Sequence, residues 1–176
     1  MQLQHDAFAS PLGTILVVHD KDRNLRALDF ADHEDRMHRL LRLHYGQVQL
    51  MAATAPEPTT EALRHYFDGD LGALATISVQ TGGTPFQRHV WSALRDIPAG
   101  RTHTYGGLAA QIGSPKAMRA VGLANGANPV AIVVPCHRVI GANGALTGFG
   151  GGLHRKQWLL EHEGVLAKTP TDKLTP

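Results

Sequence analysis

Thr104–Gly126, TYGGLAAQIGSPKAMRAVGLANG, is the stretch on which the reading of the fold turns. Within it Tyr105, Leu108, Ala109 and Ile112 fall at i, i+3, i+4 and i+7, the spacing of one helical face. Thr104 stands where an N-cap belongs, and Gly113 stands where such a helix stops. Ser114 then caps a second helix with Pro115 at its first position, running through Met118, Val121 and Leu123 to Asn125-Gly126. Two short helices joined by a tight Gly-Ser turn make a helix-turn-helix candidate, although ordinary helical hairpins share that layout. The second helix is unusual in composition. Ala117, Ala120, Gly122, Ala124 and Gly126 are small, and Lys116 and Arg119 are its only charges. Small residues let a helix backbone approach a surface closely, and a helix N-terminus favours phosphate. A tightly packed core helix would use the same small residues, so this pattern alone leaves both uses open.

Upstream of that pair, Thr84 and Pro85 open a helix whose Phe86, Val90, Leu94 and Ile97 line one side until Pro98-Ala99-Gly100. Thr81-Gly82-Gly83 reads as a domain boundary. Before it, Gly13–His19 and Leu25–Phe30 are β-rich runs around a polar loop, as in a hairpin. Met37, Leu40, Leu41 and His44 mark a helix, with Asp32 as its expected N-cap and Gly46 as its stop. A shorter helix over Thr60–Phe67 and a strand over Thr76–Val79 complete the first part. Downstream, His154–Glu163 predicts a last helix with Trp158, Leu159 and Leu160 as apolar content and Gly164 as stop. The expected fold is therefore α+β: a small N-terminal α/β domain with an antiparallel sheet (1–80), then a mainly helical C-terminal domain containing the helix-turn-helix (84–166). Residues 167–176, poor in apolar side chains, are expected to form a mobile tail.

The 176 residues are 43% hydrophobic and 18% charged, enough apolar content for a packed core and too much for wholesale disorder. The net charge of +2 averages two unlike halves. Residues 1–83 carry seven basic and eleven acidic side chains, a balance of −4, and residues 84–176 carry ten and four, a balance of +6. A basic second half fits a polyanion partner, and chance drift in surface charge is the competing account. The single cysteine excludes an internal disulfide framework and any Cys-rich zinc site. MQLQHDAFAS lacks a basic stretch followed by an apolar one, and no apolar run is long enough to span a bilayer. A soluble, cytoplasmic protein is expected.

The chemistry-bearing segment is Asn128-Pro129-Val130-Ala131-Ile132-Val133-Val134-Pro135-Cys136-His137-Arg138-Val139-Ile140. It reads as an apolar strand ending at Pro135, followed at once by a thiol, an imidazole and a guanidinium. An arbitrary free cysteine is most often a small buried hydrophobe. Beside two potentially activating groups, Cys136 is also a nucleophile candidate. Neighbours on an extended strand face opposite ways, so Cys136 and His137 can cooperate only if the chain turns at Pro135.

Val134–Ile140 resembles the active-site signature of the O6-alkylguanine-DNA alkyltransferases. The likeness runs from Phe86 to Gly164, through Lys116–Gly122, Asn128-Pro129-Val130 and His162-Glu163-Gly164; the first 80 residues match only loosely, at Ser10-Pro11-Leu12-Gly13 and the hairpin. The resemblance implies DNA repair by direct transfer of an alkyl group from O6-alkylguanine, with O4-alkylthymine a further substrate, onto the protein's own Cys136, once per molecule. It implies that His137 acts as base through a water, that Glu163 orients the imidazole, and that Asn128 braces the turn bearing the cysteine. The target base must leave the duplex to be reached. By the same resemblance Arg119 fills the vacated place in the stack. Tyr105 presses on the phosphate and donates to guanine N3, and Gln87, Lys116, Ala120 and Gly122 join the DNA contact through the minor groove. Cys136, Val139, Phe149 and Gly150 form the base pocket.

Two positions vary within the family pattern. A tyrosine often stands at the place of Phe149, and some relatives carry serine or alanine at that of Gly150. A glycine there is expected to leave a roomier lid for larger alkyl groups. No cofactor and no metal is expected, and the protein should act as a monomer on double-stranded DNA, away from membranes. Two other classes compete: a non-catalytic lesion-binding module, disfavoured because the reactive cysteine is present, and a Cys/His hydrolase, which leaves the helix pair and the basic half without a use.

Overall fold

The computed structural model describes residues 1–167; the expected tail lies, apart from Ala167, outside the described residues. Four strands, β1 (Gln2–Ser10), β2 (Gly13–His19), β3 (Leu25–Phe30) and β4 (Gln49–Ala52), form a sheet in the order β3-β2-β1-β4. The first three are antiparallel neighbours, and β4 lies parallel to β1 at one edge. Helix α1 (Glu34–Tyr45) connects β3 to β4, as a parallel return requires. Its buried Met37 and Leu41 pack with Leu3, Val18 and Ala27 on one face of the sheet. The other face, with Ile15, Val17, Leu28 and Phe30, joins a core shared with Val90, Trp91, Leu94, Leu108, Val121 and Val139 of the second half. A sheet covered on both faces has no solvated side, which is why β3 is buried at every position but Arg26, Asp29 included.

Helix α2 (Glu57–Phe67) starts three residues before the expected Thr60 and contributes Leu63 and Tyr66 to the shared core. Helix α3 (Pro85–Arg95) opens on a capping box, with the Thr84 side chain accepting from Gln87 N–H and the Gln87 side chain accepting from Thr84 N–H. Next come β5 (His103–Thr104), α4 (Tyr105–Gln111), capped by Thr104, and α5 (Met118–Gly126). The strand β6 (Val139–Ile140) pairs in parallel with β5, and α6 (Leu153–His162) closes the described chain.

Several expectations are corrected. Strands β1 and β4 had no counterpart in the sequence reading. The strand expected over Thr76–Val79 is a 3-10 turn at Ala73–Thr76 followed by one bridge from Val79 to Leu25. Asp32 does not cap α1, whose N-cap is His33; instead its carboxylate accepts from Arg155 Nη1 at 2.9 Å. Ser114 and Pro115 precede α5 in a turn closed by Ala117 N–H donating to Ser114 O. The segment Ala131–Val134 is no strand: Ile132 has φ of +70°, and Val134 N–H donates back to Val130 O. It hooks onto β3 instead, through Leu28 N–H to Pro129 O and Ala131 N–H to Leu28 O, both 3.0 Å.

The interior holds a histidine with a consequence for acid stability. His19, 1% exposed, pairs with Thr59 Oγ1 at 3.2 Å, and burial lowers its pKa from 6.5 to about 4 against the pull of Asp20 and Asp6. The folded protein then holds His19 neutral where the unfolded chain protonates it, so stability is lost as pH falls from 6.5 towards 4. The expected loss is about 3 kcal/mol across that window. Urea midpoints at pH 7 and pH 5 check this; a His19→Gln protein should lose less on acidification, and an equal loss would contradict it.

Candidate active site

Cys136 begins a 3-10 turn, Cys136–Arg138, directly after Pro135. The chain therefore turns where cooperation between Cys136 and His137 requires it. Asn128 holds the approach to this turn: its Nδ2 donates to Val134 O at 2.8 Å, and its Oδ1 accepts from Val130 N–H at 2.9 Å. Asn125, at the end of α5, donates to Cys136 O at 3.3 Å. The parallel β5–β6 pair fixes the other side of the turn and sets Tyr105, the residue after β5, beside the same segment.

Behind the thiol lies a buried polar cluster centred on Glu163, which is 3% exposed. Glu163 Oε2 accepts from Tyr66 OH at 2.6 Å, His137 Nε2 at 2.8 Å and Arg138 Nη2 at 3.0 Å, and Oε1 accepts from Arg138 Nε at 2.8 Å. Arg138 Nη1 also donates to Ile97 O at 2.6 Å. Burial alone would raise the Glu163 pKa, but His137 and Arg138 overcome it and hold the carboxyl far below the usual range. An ionised carboxylate only accepts, so the shared proton sits on His137 Nε2 and Nδ1 is left as the basic nitrogen. Nδ1 is buried with no hydrogen-bond partner among the described residues. Burial lowers the His137 pKa, against the pull of Glu163, so the imidazole is kept neutral and fit to take a proton.

Cys136 itself is buried, and burial raises its thiol pKa. Asn128, Lys156 and Arg36 act the other way, favouring the thiolate. Lys156 is fully buried; its Nζ donates to Val139 O at 2.6 Å and Thr147 O at 2.7 Å, and burial lowers its pKa to about 8. One cation thus joins the cysteine turn to the loop that covers it.

The expected residues do not all converge. A cavity beside Cys136 has Asn128, Phe149 and Gly150 in its wall, and Val139 lies against the same turn through the bond from its N–H to Cys136 O. Tyr105 is absent from that wall; its hydroxyl meets the covering loop at Thr147 Oγ1, 3.1 Å away. Lys116, just before α5, and Arg119 and Ala120 on it stand exposed on the surface, while a Cβ built on Gly122 would meet the Tyr105 ring at 3.8 Å, ordinary contact distance. Gln87 is taken up by the cap of α3. Exposed Met118 and Leu123 put two large apolar side chains on the same helix.

The sequence reading missed Tyr66, Asn125, Lys156 and Arg36 as site residues, and took the Arg138 guanidinium as an activator beside the thiol, whereas it pairs with Glu163. Arg138 adjoins His137, and Tyr66 sits on the apolar face of α2, but only the fold brings the Tyr66 hydroxyl to a carboxylate 97 residues away. A lysine among Trp158, Leu159 and Leu160 was the available signal for Lys156.

The family model described as the 6-O-methylguanine DNA methyltransferase DNA-binding domain matches residues 85–165, and that of the ribonuclease-like domain of the same methyltransferase matches residues 4–80. A methylated-DNA–protein-cysteine methyltransferase of Salmonella typhimurium is 52% identical over 168 residues, 94% of this chain and 98% of that protein. One from Methanosarcina acetivorans is 44% identical over 160 residues, 89% and 96% of the two chains. Among solved structures, O6-methylguanine methyltransferase of Mycobacterium tuberculosis has a TM-score of 0.77 at 39% identity, covering 97% of this chain and 96% of that one. The Mycobacterium tuberculosis OGT crystallised in complex with DNA has a TM-score of 0.76 at 36% identity, covering 99% and 98%.

Proposed function

Because the chain belongs to the 6-O-methylguanine DNA methyltransferase family, we propose that Cys136 receives the alkyl group in its DNA-repair reaction. The activity is that of a methylated-DNA–protein-cysteine methyltransferase, and the chain has one cysteine to serve as acceptor. In the step we infer, His137 Nδ1 takes the thiol proton by way of a water. The thiolate attacks the alkyl carbon, the S–C bond forms, and the C–O6 bond breaks with its electron pair going to guanine. Glu163 fixes the imidazole tautomer and steadies the charge that forms on it. Asn128 braces the turn, and Lys156 favours the thiolate. The observation that carries this reading is the 2.8 Å bond between Glu163 and His137 Nε2 behind the cysteine, which leaves Nδ1 as the acceptor.

The chain binds DNA, and α4–α5 acts as its helix-turn-helix. Exposed Arg119 and Lys116 suit contact with phosphates, and the small residues of α5 suit close approach along the minor groove. Arg119 takes the place of the flipped base, with Tyr105 aiding rotation and stabilising the leaving guanine. Residues 1–80 and 84–166 act as support and DNA-facing domains of a monomer. Among the described residues no helix is long and apolar enough to cross a membrane, and we place the protein in the cytoplasm, on the nucleoid in a bacterium. The thioether offers no ready route back to the thiol, so each molecule acts once.

Incubation with an oligonucleotide duplex carrying O6-methylguanine, followed by intact-protein mass measurement, tests this. One methyl group on Cys136, saturating at one per molecule, is expected. Binding without mass gain would favour the lesion-binding module, and repeated turnover would favour the hydrolase.

A further inference from the structure

Among the described residues, the wall of the cavity beside Cys136 comes from the second half with one exception. Arg36, from α1 in the first half, reaches into the same wall as Phe149 and Gly150. It is held there by Asp29, 3% exposed, which accepts from Arg36 Nε at 2.9 Å and also from Nη2. A methyl group built onto Gly150 would fall inside the Arg36 guanidinium, against Nη1 and Cζ. The room that a glycine at position 150 was expected to leave for larger alkyl groups is therefore already filled, from across the two halves. What remains free beside the thiol is about 10 Å³, space for the centre of roughly one water molecule.

Resting on the assignment of Cys136 as acceptor, we propose that Arg36 is a specificity-determining residue: its guanidinium and Gly150 together set the size of the alkyl group that reaches the thiol. The reasoning is steric. A side chain at 150 and a guanidinium from α1 compete for one volume, and a forked, partly buried ion pair with the buried Asp29 keeps Arg36 from yielding freely. The lid alone does not define the pocket. The first half of the chain supplies the part that a serine or alanine would otherwise supply. Arg36 also brings a positive charge to the thiol's surroundings, so its removal reads out in two separable ways, substrate size and thiol ionisation.

The test is single-turnover transfer from duplexes carrying O6-methylguanine or O6-benzylguanine, measured by intact mass for wild type, Arg36→Ala, Gly150→Ser and the double variant. Arg36→Ala is expected to raise the benzyl-to-methyl rate ratio about tenfold, the scale on which a pocket reads added hydrocarbon bulk. Gly150→Ser is expected to slow methyl transfer, because serine must evict the guanidinium. The double variant should recover most of that loss, a non-additivity that independent sites do not show. A wild type that methylates Cys136, combined with an unchanged ratio in Arg36→Ala or additive effects in the double variant, overturns the Arg36 assignment alone. A wild type that gains no methyl on Cys136 overturns the acceptor assignment and this one with it. Because the readout is a ratio between two substrates on one protein, a general loss of folding does not imitate it.

Discussion

A Cys136→Ser protein is expected to fold, to bind duplex DNA as the wild type does, and never to gain the mass of a methyl group. Serine keeps the shape of cysteine closely enough that stability should change by only about 1 kcal/mol. The backbone bonds that hold the turn, from Asn128 to Val134 and from Asn125 to the carbonyl of residue 136, do not involve sulfur. The exposed residues proposed for DNA contact, Arg119 on α5 and Lys116 just before it, are untouched. What changes is the nucleophile. The buried thiol stands above its ordinary pKa, and Asn128, Lys156 and Arg36 pull the other way, towards the thiolate. A serine hydroxyl is far less acidic, and no group in the cluster compensates for that difference. Intact mass after exposure to O6-methylguanine duplex reads the transfer, and fluorescence anisotropy reads the binding. A methylated Ser variant, on any residue, would remove Cys136 from the reaction; loss of DNA binding alongside would tie the thiol to the interface instead.

How much of this was open to sequence reading follows the range of the interactions. The cysteine segment and the α3 cap at Thr84 were legible because the residues that define them are neighbours. So was the stop of α1, where Gly46 adopts φ of +71°. Strand β1 was not, because QLQHDAFAS buries only Leu3 fully and its partners are set by a hairpin on one side and a parallel return 47 residues on. The run Ala131–Val134 misled for a physical reason. Its Val and Ile content reports burial, since every residue from Pro129 to Val139 is buried, and burial in tight turns uses the same side chains as a central strand. In the site, His137 and Glu163 came from a matched motif. Tyr66, Arg36 and Lys156 were hidden because each acts through a contact made only when the halves or the covering loop come together.

Replacing Glu163 by Gln should be the most damaging change short of losing the thiol, because it strikes stability and chemistry through one atom pair. The carboxylate serves four donor contacts, from Tyr66, His137 and two nitrogens of Arg138. An amide offers one acceptor oxygen and places its own N–H groups against donors, leaving the Arg138 cation buried and unpaired. Breaking a buried pair in this way costs about 3–5 kcal/mol. The sign with pH follows from the depressed pKa: the carboxylate's contribution is present above its ordinary value of 4.5 and lost as pH falls below it, so the gap between wild type and variant should narrow in acid. The chemistry suffers separately. With a single acceptor oxygen contested by Tyr66, Arg138 and His137, the His137 proton is no longer held on Nε2, and an imidazole protonated on Nδ1 cannot accept from the thiol. Loss of a positioned base is worth about 100- to 10,000-fold in rate. Single-turnover methyl transfer at neutral pH should fall within that range while DNA binding persists. A Tyr66→Phe protein, which removes one donor and keeps the charge, should lose about 1 kcal/mol and little rate. If Glu163→Gln transferred methyl groups at nearly the wild-type rate, Glu163 would be a structural anchor for Arg138 alone, and the proton would have to leave Cys136 by a route that does not depend on the His137 tautomer.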